Sequence, residues 1–469
     1  MSDRLSTLDY SFLSLERGEL PMHMGSLMVF DGPAPSYEEF RAAIAARLDL
    51  LPRYRQRVRE VPMQLNAPVW VDDPHFQLDY HLRHIALPPP GGEEQLQAVT
   101  SQLLDQRLDL SRPLWEAWLI VGIDGGNWAV LNKTHHAMVD GLGGTDMIEA
   151  IMDTAPDGTE PQESDWSPVA EPGNSSLLSS AISDLVREPF RAMEQAGEVT
   201  RAPRSAAATA AAQLAGTLRA GDKLLHTEDF LIGPVGPHRR WTWVEMDLAD
   251  IKSVKNRFGG TVNDVLLTAT AGGFRALLME RGEELALGAT IRTMIPVSVR
   301  KDDRSGGGNA VSAVFTDLPV GEPDPLTALE AIRSDMEYLK RSPEALAVPA
   351  LLSASTFVSP GLLSAAGRLA ARVPQRSVGT VTTNIPGPQH PLYFMGRLMT
   401  ELVPFVPLGP RIRVAVALMS YNGGVWAGIN ADYDAVPDVE QVPDGMRATL
   451  SELTRRAERK TKSKKSKKK

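Results

Sequence analysis

The chain has 469 residues and no cysteine, which excludes disulfides, cysteine nucleophiles and thiolate-bound metals. Charged residues make up 23% and hydrophobic residues 43%, so the composition indicates a globular protein of two or three structural units. The net charge is −9, but residues 455–469 carry ten Lys and Arg against one acidic residue, so the tail is +9 and the remainder −18. An acidic body argues against nucleic acid as the main partner. The basic tail predicts either contact with anionic lipid or a solvated, disordered end.

Residues 1–155 are predicted to form a first lobe in which strands and helices alternate along the chain. The predicted elements, from hydrophobic spacing, are strands over 21–30 and 128–131 and helices over 37–48 and 93–106. This alternation is typical of an α/β fold, because a sheet must bury its apolar face against helices.

The strongest chemical signal in this lobe is His135-His136-Ala137-Met138-Val139-Asp140-Gly141, which follows the strand at 128–131. One imidazole at a strand end can project into a cavity as a general base, since a histidine pKa near ~6.5 leaves the ring mostly neutral at pH 7. Gly141 allows the tight backbone that turns Asp140 back into the protein. Neighbouring side chains of a strand point to opposite faces, which disfavours a metal site. A packed or surface histidine is the alternative.

Residues 156–239 are predicted to be a linker and a helical crossover. Residues 155–173 are rich in Pro, Asp, Glu, Ser and Gly, which is typical of a linker. The alanine-rich segment 205–220 predicts a helix that is too short to cross a membrane.

A second lobe is predicted over residues 240–440, followed by a terminal helix end and the basic tail over 441–469. Thr261 and Asp264 have the spacing of a capping box at the start of a helix. Strands are predicted over 291–299, 378–385, 411–420 and 425–430, and Asn422-Gly423 is a strong hairpin signal between the last two. Residues 345–367 have no charged side chain, but two prolines divide them into short helices, buried or at a membrane interface.

Four polar residues of the second lobe are further candidates. Arg300 stands before a glycine-rich turn, a combination that could bind phosphate groups, although a solvated loop is the simpler interpretation. Thr383 and Asn384 offer side-chain donors that could stabilise an oxyanion. Ser420 is a candidate substrate contact at the hairpin.

The segment HHAMVDG resembles the HHxxxDG signature of the CoA-dependent acyltransferase superfamily, which includes chloramphenicol acetyltransferase and peptide-synthetase condensation domains. Within it, the chain resembles the bacterial bifunctional wax ester synthase/diacylglycerol acyltransferase family. The other motifs of that family stand in order between Leu8 and Asp434: Pro113-Leu114-Trp115, Asn263-Asp264, Ile295-Pro296-Val297-Ser298-Val299-Arg300, Gly308-Asn309, Thr383-Asn384-Ile385-Pro386-Gly387-Pro388 and Pro391-Leu392-Tyr393.

The resemblance implies an α/β protein of two chloramphenicol-acetyltransferase-like lobes, each a mixed sheet flanked by helices, with the active-site tunnel between them. It implies that His136 is the general base, and strand alternation then makes His135 a structural neighbour. It places Asn263 and Asp264 near the reaction centre, with helix capping as the alternative for both. By analogy with condensation domains, Arg55 is the expected partner of Asp140, with Arg57 second; a solvated basic turn is equally consistent with the sequence.

The implied reaction is direct acyl transfer from acyl-CoA to diacylglycerol or a long-chain alcohol. The chain has no cysteine and no Gly-x-Ser-x-Gly elbow, which agrees with a mechanism without an acyl-enzyme. We expect no metal and no cofactor beyond acyl-CoA as co-substrate. We expect a cytoplasmic protein, since the N-terminus lacks a signal peptide, held peripherally on membrane or lipid droplets. The alternatives are a smaller specialised-metabolite acceptor and a non-catalytic lipid-surface protein.

Overall fold

The computed structural model describes residues 3–16, 20–138, 148, 151–158, 165–184, 228–298, 311–341 and 378–466. The strands with bounds in these residues are β1 (Asp3–Arg4), β2 (His23–Phe30), β3 (Gln56–Arg59), β4 (Val69–Asp72), β5 (Leu82–Ala86), β6 (Trp115–Val121), β7 (Trp128–His135), β8 (Arg239–Asp247), β9 (Ile291–Ser298), β10 (Val311–Leu318), β11 (Thr380–Pro386), β12 (Tyr393–Phe394), β13 (Arg397–Phe405), β14 (Val414–Tyr421) and β15 (Gly424–Asp432). The helices are α1 (Thr7–Glu16), α2 (Tyr37–Ala45), α3 (Leu78–His81), α4 (Glu93–Asp105), α5 (Glu228–Leu231), α6 (Leu248–Phe258), α7 (Val262–Glu280), α8 (Pro325–Arg341) and α9 (Gln441–Ser466).

The N-terminal sheet has the strand order β12-β13-β2-β7-β6-β5. At its centre β2 and β7 pair antiparallel, with His23 opposite His135 and Leu27 opposite Leu131. At one edge β5 is parallel to β6. Every residue of β7 is buried, so the apolar run at the start of this strand reflects burial on both faces.

The C-terminal sheet has the strand order β10-β9-β11-β14-β15-β8. In it β11 runs parallel to both β9 and β14, and the other neighbouring strands are antiparallel. Helices α7 and α9 pack against each other beside this sheet, and Phe274, Leu277 and Met446 are fully buried there. The described residues therefore form two mixed sheets, each with its own helices and core, and a small antiparallel sheet with the order β1-β4-β3.

Strand β13 joins the two halves of the molecule. It follows the C-terminal strand β11 in the chain but pairs with β2 of the N-terminal sheet, with Phe405 opposite Gly25. A Cβ atom added at Gly428 of β15 would overlap the carbonyl oxygen of Pro404 on β13. Only glycine allows the two strands to approach this closely, and the contact fixes the sheets to each other beside the cavity described below.

The structure confirms several of the predicted elements. The strand over 21–30 is β2, the helix over 93–106 is α4, and Thr261 begins α7 as a capping residue. The predicted hairpin turns at Asn422 and Gly423, which both have the positive φ (43° and 91°) of a type I′ turn. The predicted helices over 205–220 and 345–367 lie outside the described residues.

Helix α9 extends through Ser466 and so includes most of the basic tail. Arg456 forms an ion pair with Glu452 one turn earlier (2.6 Å), and lysine and arginine favour helix. Within the described parts of the chain, we find no helix of sufficient length and apolarity to cross a membrane.

Candidate active site

His136 lies directly after the last residue of β7, at the start of a 3₁₀ turn that spans His136–Met138. Its backbone amide donates a hydrogen bond to the carbonyl oxygen of Met22 (2.9 Å), so the turn is fixed to the start of β2. The ring of Phe12 on α1 stacks on the imidazole, with the ring centroids 3.8 Å apart and the planes inclined by 26°. Phe12 therefore covers one face of the imidazole and restricts its orientation.

The imidazole of His136 is neutral at physiological pH. Burial, with a smaller contribution from His135, lowers the pKa of His136 to about 4, against a hydrogen bond to its own backbone that raises it. Nδ1 is buried, and no other described residue hydrogen bonds to it. Nε2 is therefore the nitrogen that can accept a proton from a substrate, which is the chemistry of a general base.

His135 has the contacts of a supporting residue. Its side chain is fully buried, and Nδ1 accepts a hydrogen bond from the backbone amide of Ala137 (3.0 Å). Nε2 lies 2.7 Å from Oε2 of Glu16 on α1. Because an N–H group points at Nδ1, the ring proton is on Nε2. This nitrogen is close to the carboxylate but has no aligned hydrogen bond within the described structure.

A cavity of about 350 Å³ lies between the two sheets. Both halves of the chain line it, and most of the lining residues are apolar: Met24, Gly25, Leu50, Leu51, Pro52, Met138 and Ile148 from the first half, and Ile385, Pro404, Phe405, Val406 and Met419 from the second. The polar lining residues are Asp3, Ser26, Arg53, Tyr54, Gln56, Asn132 and Thr134. A narrower cavity shares Tyr54 and Asn132 with the first and extends to Val130 and Phe394. The size falls within the range of sites for small organic ligands, roughly 300–1,000 Å³.

The strand β7 leads from this cavity to His136. Val130, Asn132 and Thr134 line the two cavities, and they lie on one face of the strand because they are two residues apart. His136 begins the turn after the strand and is not among the residues that line either cavity, but Met138 at the end of this turn lines the larger one. We infer that the base stands at one end of an elongated, largely apolar cavity.

Tyr54 places a polar group inside the cavity. Burial raises the pKa of Tyr54 to about 12, so its phenol stays protonated. Its hydroxyl lies 3.5 Å from Oγ1 of Thr134. Its backbone carbonyl accepts a hydrogen bond from Nε1 of Trp115 (2.8 Å), which holds the segment against β6.

The arginines predicted to pair with the signature aspartate have other partners within the described structure. Arg55 is buried, lies 2.5 Å from Asp49 and stacks over the ring of Trp166 (4.9 Å). Arg57 forms an ion pair with Glu171 (2.8 Å). The pairing of Arg55 with Asp140 stays a prediction, because Asp140, Gly141 and Arg300 lie outside the described residues.

The structure brings Asn263 and Asn384 together, since Nδ2 of Asn384 donates to Oδ1 of Asn263 (3.1 Å). Asp264 caps α7: its Oδ2 accepts from the amide of Thr261 (2.7 Å), and Oγ1 of Thr261 accepts from the amide of Asp264 (3.2 Å). These bonds form the capping box that the spacing predicts. Among the described residues, no hydrogen bond links either asparagine or Asp264 to His136.

Thr383 and Ser420 differ in their surroundings. Thr383 is on the same face of β11 as Ile385, which lines the cavity. Its Oγ1 is buried and has no hydrogen-bond partner among the described residues, so it can donate toward the cavity side. Ser420 accepts hydrogen bonds from the amide of Gly387 (3.2 Å) and from Nε2 of Gln389 (3.1 Å), so it supports the turn after β11.

Sequence reasoning missed Phe12, Glu16 and Tyr54. Phe12 and Glu16 are four residues apart on α1 and therefore project from the same helix face. That spacing was the available signal, but it does not reveal which strand end the helix covers. In the part of the chain that the structure describes, no group of three or more His, Asp or Glu side chains could hold a metal ion.

Two family models match the chain, the wax ester synthase/diacylglycerol acyltransferase catalytic domain over residues 5–266 and the WS/DGAT C-terminal domain over residues 307–454. The chain belongs to the wax ester synthase/diacylglycerol acyltransferase family. It is 35% identical over 454 residues to the probable diacylglycerol O-acyltransferase tgs1 of Mycobacterium tuberculosis H37Rv, covering 96% of each chain. The family predicted from the ordered motifs is confirmed, and the protein is an acyltransferase.

Solved structures of this family and of condensation domains have the same two-lobed α/β fold. The wax ester synthase/diacylglycerol acyltransferase of Marinobacter aquaeolei VT8 superimposes with a TM-score of 0.66 at 25% identity, over 97% of this chain and 99% of that one. The first condensation domain of the CDA synthetase gives a TM-score of 0.55 at 15% identity, over 97% and 96% of the chains. The second likeness shows the fold alone, and both confirm the predicted architecture.

Proposed function

We propose that this family member transfers a long-chain acyl group from acyl-CoA to the hydroxyl group of diacylglycerol, with His136 as general base. The observation that supports this most directly is a neutral imidazole directly after β7, a strand of which Asn132 and Thr134 line an apolar cavity. Such a cavity favours an acyl chain, because each CH₂ group removed from water contributes about 0.8 kcal/mol. The name of the mycobacterial relative supports diacylglycerol as the acceptor.

In the proposed reaction, Nε2 of His136 accepts the hydroxyl proton while the oxygen attacks the thioester carbonyl carbon. The new C–O bond gives a tetrahedral intermediate with negative charge on the former carbonyl oxygen. The C–S bond then breaks, and the CoA thiolate receives the proton from His136. No residue forms an acyl-enzyme, in keeping with a chain that has no cysteine. Acyl-CoA is a co-substrate, and none of these steps uses a further cofactor.

The low pKa of His136 fits a base that acts only with substrate bound. Burial disfavours the imidazolium ion in the free enzyme. During attack the imidazolium forms beside the negatively charged oxygen of the intermediate, and the attraction between the two charges offsets the cost of burial. Thr383 is our candidate donor to that oxygen, because its buried hydroxyl has no partner among the described residues.

A second acceptor class, long-chain alcohols, would give wax esters by the same chemistry. The chain is 25% identical to the wax ester synthase/diacylglycerol acyltransferase of Marinobacter aquaeolei over nearly its full length. The proposed mechanism requires of the acceptor only a hydroxyl group beside His136, and an alkyl chain suits the apolar cavity as well as an acyl chain does.

The test of catalysis is a product assay with labelled palmitoyl-CoA, diacylglycerol and hexadecanol together. We expect labelled triacylglycerol from the wild type, and a loss of about 10²–10⁴ in rate for His136→Ala with the fold intact. The matched control is His84→Ala, because His84 is exposed on the edge strand β5 and should leave the rate unchanged.

Each outcome of this assay decides something. The ratio of triacylglycerol to wax ester identifies the preferred acceptor. No ester from the wild type would overturn the proposal in favour of a smaller acceptor or a lipid-binding protein without turnover. Equal rates for the wild type and a folded His136→Ala protein would remove His136 as the base.

We further propose that the protein works at the surface of a membrane or lipid droplet, where the acceptor is found, and that the end of α9 holds it there. Residues 460–469 contain seven lysines and no acidic residue, and each basic residue near an anionic lipid surface contributes about 1 kcal/mol. Truncation after Arg459 removes these lysines and keeps the ion pair of Arg456 with Glu452.

Sedimentation with anionic liposomes at low salt tests this attachment. We expect the full chain to sediment and the chain truncated after Arg459 to stay largely in solution, with neither bound to neutral liposomes. Equal sedimentation of the two proteins would show that another surface makes the contact.

A further inference from the structure

We infer that helix α1 is the positioning element of the catalytic base: Glu16 holds His135 and the turn that follows it, and Phe12 holds the ring of His136. The inference rests on the proposed role of His136 as general base. It adds two positioning residues that act through the histidines rather than on the substrate.

One carboxylate oxygen of Glu16 connects three elements. Oε2 accepts a hydrogen bond from the backbone amide of Met22 (3.0 Å) and lies 2.7 Å from Nε2 of His135. The carbonyl of Met22 in turn accepts from the amide of His136 (2.9 Å). A closed ring of contacts therefore runs from Glu16 through Met22 to His136 and back through His135 to Glu16.

The backbone sets the tautomer of His135. The amide of Ala137 donates to Nδ1 (3.0 Å), so the ring proton is on Nε2, which is buried 2.7 Å from Oε2 of Glu16 but is not aligned with it as a hydrogen bond. Without Glu16, the imidazole of His135 would lose the carboxylate against which it packs and could rotate away from Ala137. Ala137 belongs to the turn that carries His136, so this rotation would release the base from its position.

Phe12 acts on the second histidine. It lies four residues before Glu16, so both side chains leave α1 on the face that covers the end of β7. Its ring stacks on the His136 imidazole at 3.8 Å and keeps water from that side. Among the described residues, titratable groups near His136 include His135 on β7, Glu16 on α1 and, opposite His135 on β2, His23. Burial is the main cause of the lowered pKa of His136.

Simple core packing does not account for Glu16. The carboxylate is 3% exposed, and a buried carboxylate carries a desolvation cost of several kcal/mol that an apolar side chain would not. Leu13 on the same helix is also buried (7% exposed) and represents ordinary packing. The difference between Glu16 and Leu13 provides the control for the experiment.

The experiment compares steady-state kinetics of the wild type, Glu16→Leu, Glu16→Gln, Phe12→Ala, Leu13→Ala and His136→Ala with palmitoyl-CoA and diacylglycerol. We expect Glu16→Leu to lower kcat about 10²-fold with KM for acyl-CoA nearly unchanged, because it displaces the base and leaves the cavity intact. Glu16→Gln keeps an oxygen at the acceptor position and should recover most of kcat. Leu13→Ala should lower stability without a selective loss of kcat.

Phe12→Ala has a different signature, since it opens the ring of His136 to water. We expect the acidic limb of kcat/KM to move up by about one pH unit or more, toward the ordinary histidine value. An unchanged pH profile in a folded Phe12→Ala protein would overturn the part of the inference that concerns Phe12.

Nitrogen-15 NMR of histidine-labelled protein reads the tautomer of His135 without reference to activity. We expect Nε2–H in the wild type and in Glu16→Gln, and a mixture of tautomers in Glu16→Leu. A wild-type ring protonated on Nδ1 would overturn the inference even if Glu16→Leu fails to fold. Full activity of His136→Ala would refute the proposed function, whereas inactive His136→Ala with wild-type kcat in Glu16→Leu would refute only the role of α1.

Discussion

The two faces of β7 differ in how their polar side chains are satisfied. On the odd-numbered face, Nζ of Lys133 donates to the carbonyls of Leu103 (3.0 Å) and Gln106 (2.6 Å), and Nδ1 of His135 accepts from the amide of Ala137 (3.0 Å). On the even-numbered face, Oγ1 of Thr134 lies 3.5 Å from its nearest polar neighbours and borders the cavity. Short contacts of buried groups stabilise a fold, whereas polar groups in a cavity remain available to a substrate.

Side chains on the odd-numbered face of β7 also provide hydrogen-bond donors for the last carbonyl groups of helix α4. The last carbonyls of a helix have no partner within it, and cationic or N–H donors are favourable there. His23 on β2 contacts the carbonyl of Leu104 (2.8 Å) beside the two carbonyls that Lys133 binds. A slip of one residue in the pairing of β2 with β7 would exchange the two faces. These buried donors therefore fix the register that sends His136 to the cavity side.

The largest effect on stability should come from Lys133→Met. The side chain is fully buried, and its loss leaves the carbonyls of Leu103 and Gln106 without a donor. We expect the free energy of unfolding in urea to fall by about 2–4 kcal/mol, with kcat of the folded protein nearly unchanged. Lys252→Met, at an exposed position of α6, is the control. A large loss of kcat in Lys133→Met without a loss of stability would contradict the structural role of the odd-numbered face.

The pH dependence of activity tests the even-numbered face. At pH 5.5 an ordinary histidine is only about one tenth neutral, whereas a pKa of about 4 keeps His136 neutral. We therefore expect kcat/KM at pH 5.5 to stay within about twofold of its value at pH 7. An acidic limb near the ordinary histidine pKa would show that water reaches the imidazole of His136 in the free enzyme.

The lowered pKa of His136 also predicts how the free energy of unfolding changes with pH. In the unfolded chain His136 takes up a proton near pH 6.5, but in the folded protein it does so only near pH 4, as does His81, whose pKa burial also lowers to about 4. Between these values the unfolded state binds more protons, so the free energy of unfolding falls as the pH is lowered from ~6.5 to ~4. Urea titrations across this range measure the slope, which should become shallower in His81→Phe.

The preference for acyl-CoA chain length should depend on one face of β7 and not on the other, as substitutions at the adjacent residues Val130 and Leu131 can test. Val130 lines the narrow cavity, and Val130→Phe would fill space that a long acyl chain needs. We expect kcat/KM for palmitoyl-CoA to fall about tenfold, the equivalent of two CH₂ groups at about 0.8 kcal/mol each, while octanoyl-CoA is little affected. Leu131→Phe on the opposite face should cost about 1–3 kcal/mol of stability and leave the preference unchanged. Equal effects of Val130→Phe on both substrates would remove the cavity as the acyl site.

Local sequence patterns were sufficient for many elements of the fold. The helix α4 and the hairpin of β14 and β15 follow from hydrophobic spacing and from the turn chemistry of Asn422-Gly423. The pairing of β13 with β2 could not be predicted from local patterns. The two strands are far apart in the chain, and only packing between the two halves of the molecule determines that they pair. The capping role of Thr261 and Asp264 at α7 was predictable, since a capping box needs only neighbours in sequence.

For the candidate site, too, the sequence predicts the local features but not the contacts between distant segments. Strand alternation is a local property, so the sequence alone assigns His135 and His136 to opposite faces of β7. The contacts of Glu16 and Phe12 join α1 to the end of β7, more than a hundred residues apart, and no local pattern contains them. Arg55 is found beside Asp49, because a segment rich in charged residues offers several carboxylates within reach and the sequence does not rank them.

The smallest predicted effect on stability concerns β11, where we expect the same division as in β7: one strand face lines the cavity and the other makes structural contacts. Ile385 of this strand lines the cavity, and Asn384 points to the other face, where it donates to Asn263 at the start of α7 (3.1 Å). This division predicts that the two asparagines act as a structural pair. In a double-mutant cycle, Asn263→Ala and Asn384→Ala should each lower the free energy of unfolding, with a coupling energy of about 0.5–1.5 kcal/mol. Additive stability losses, together with a loss of kcat from Asn263→Ala alone, would instead place Asn263 in the reaction and confine the division to the N-terminal sheet.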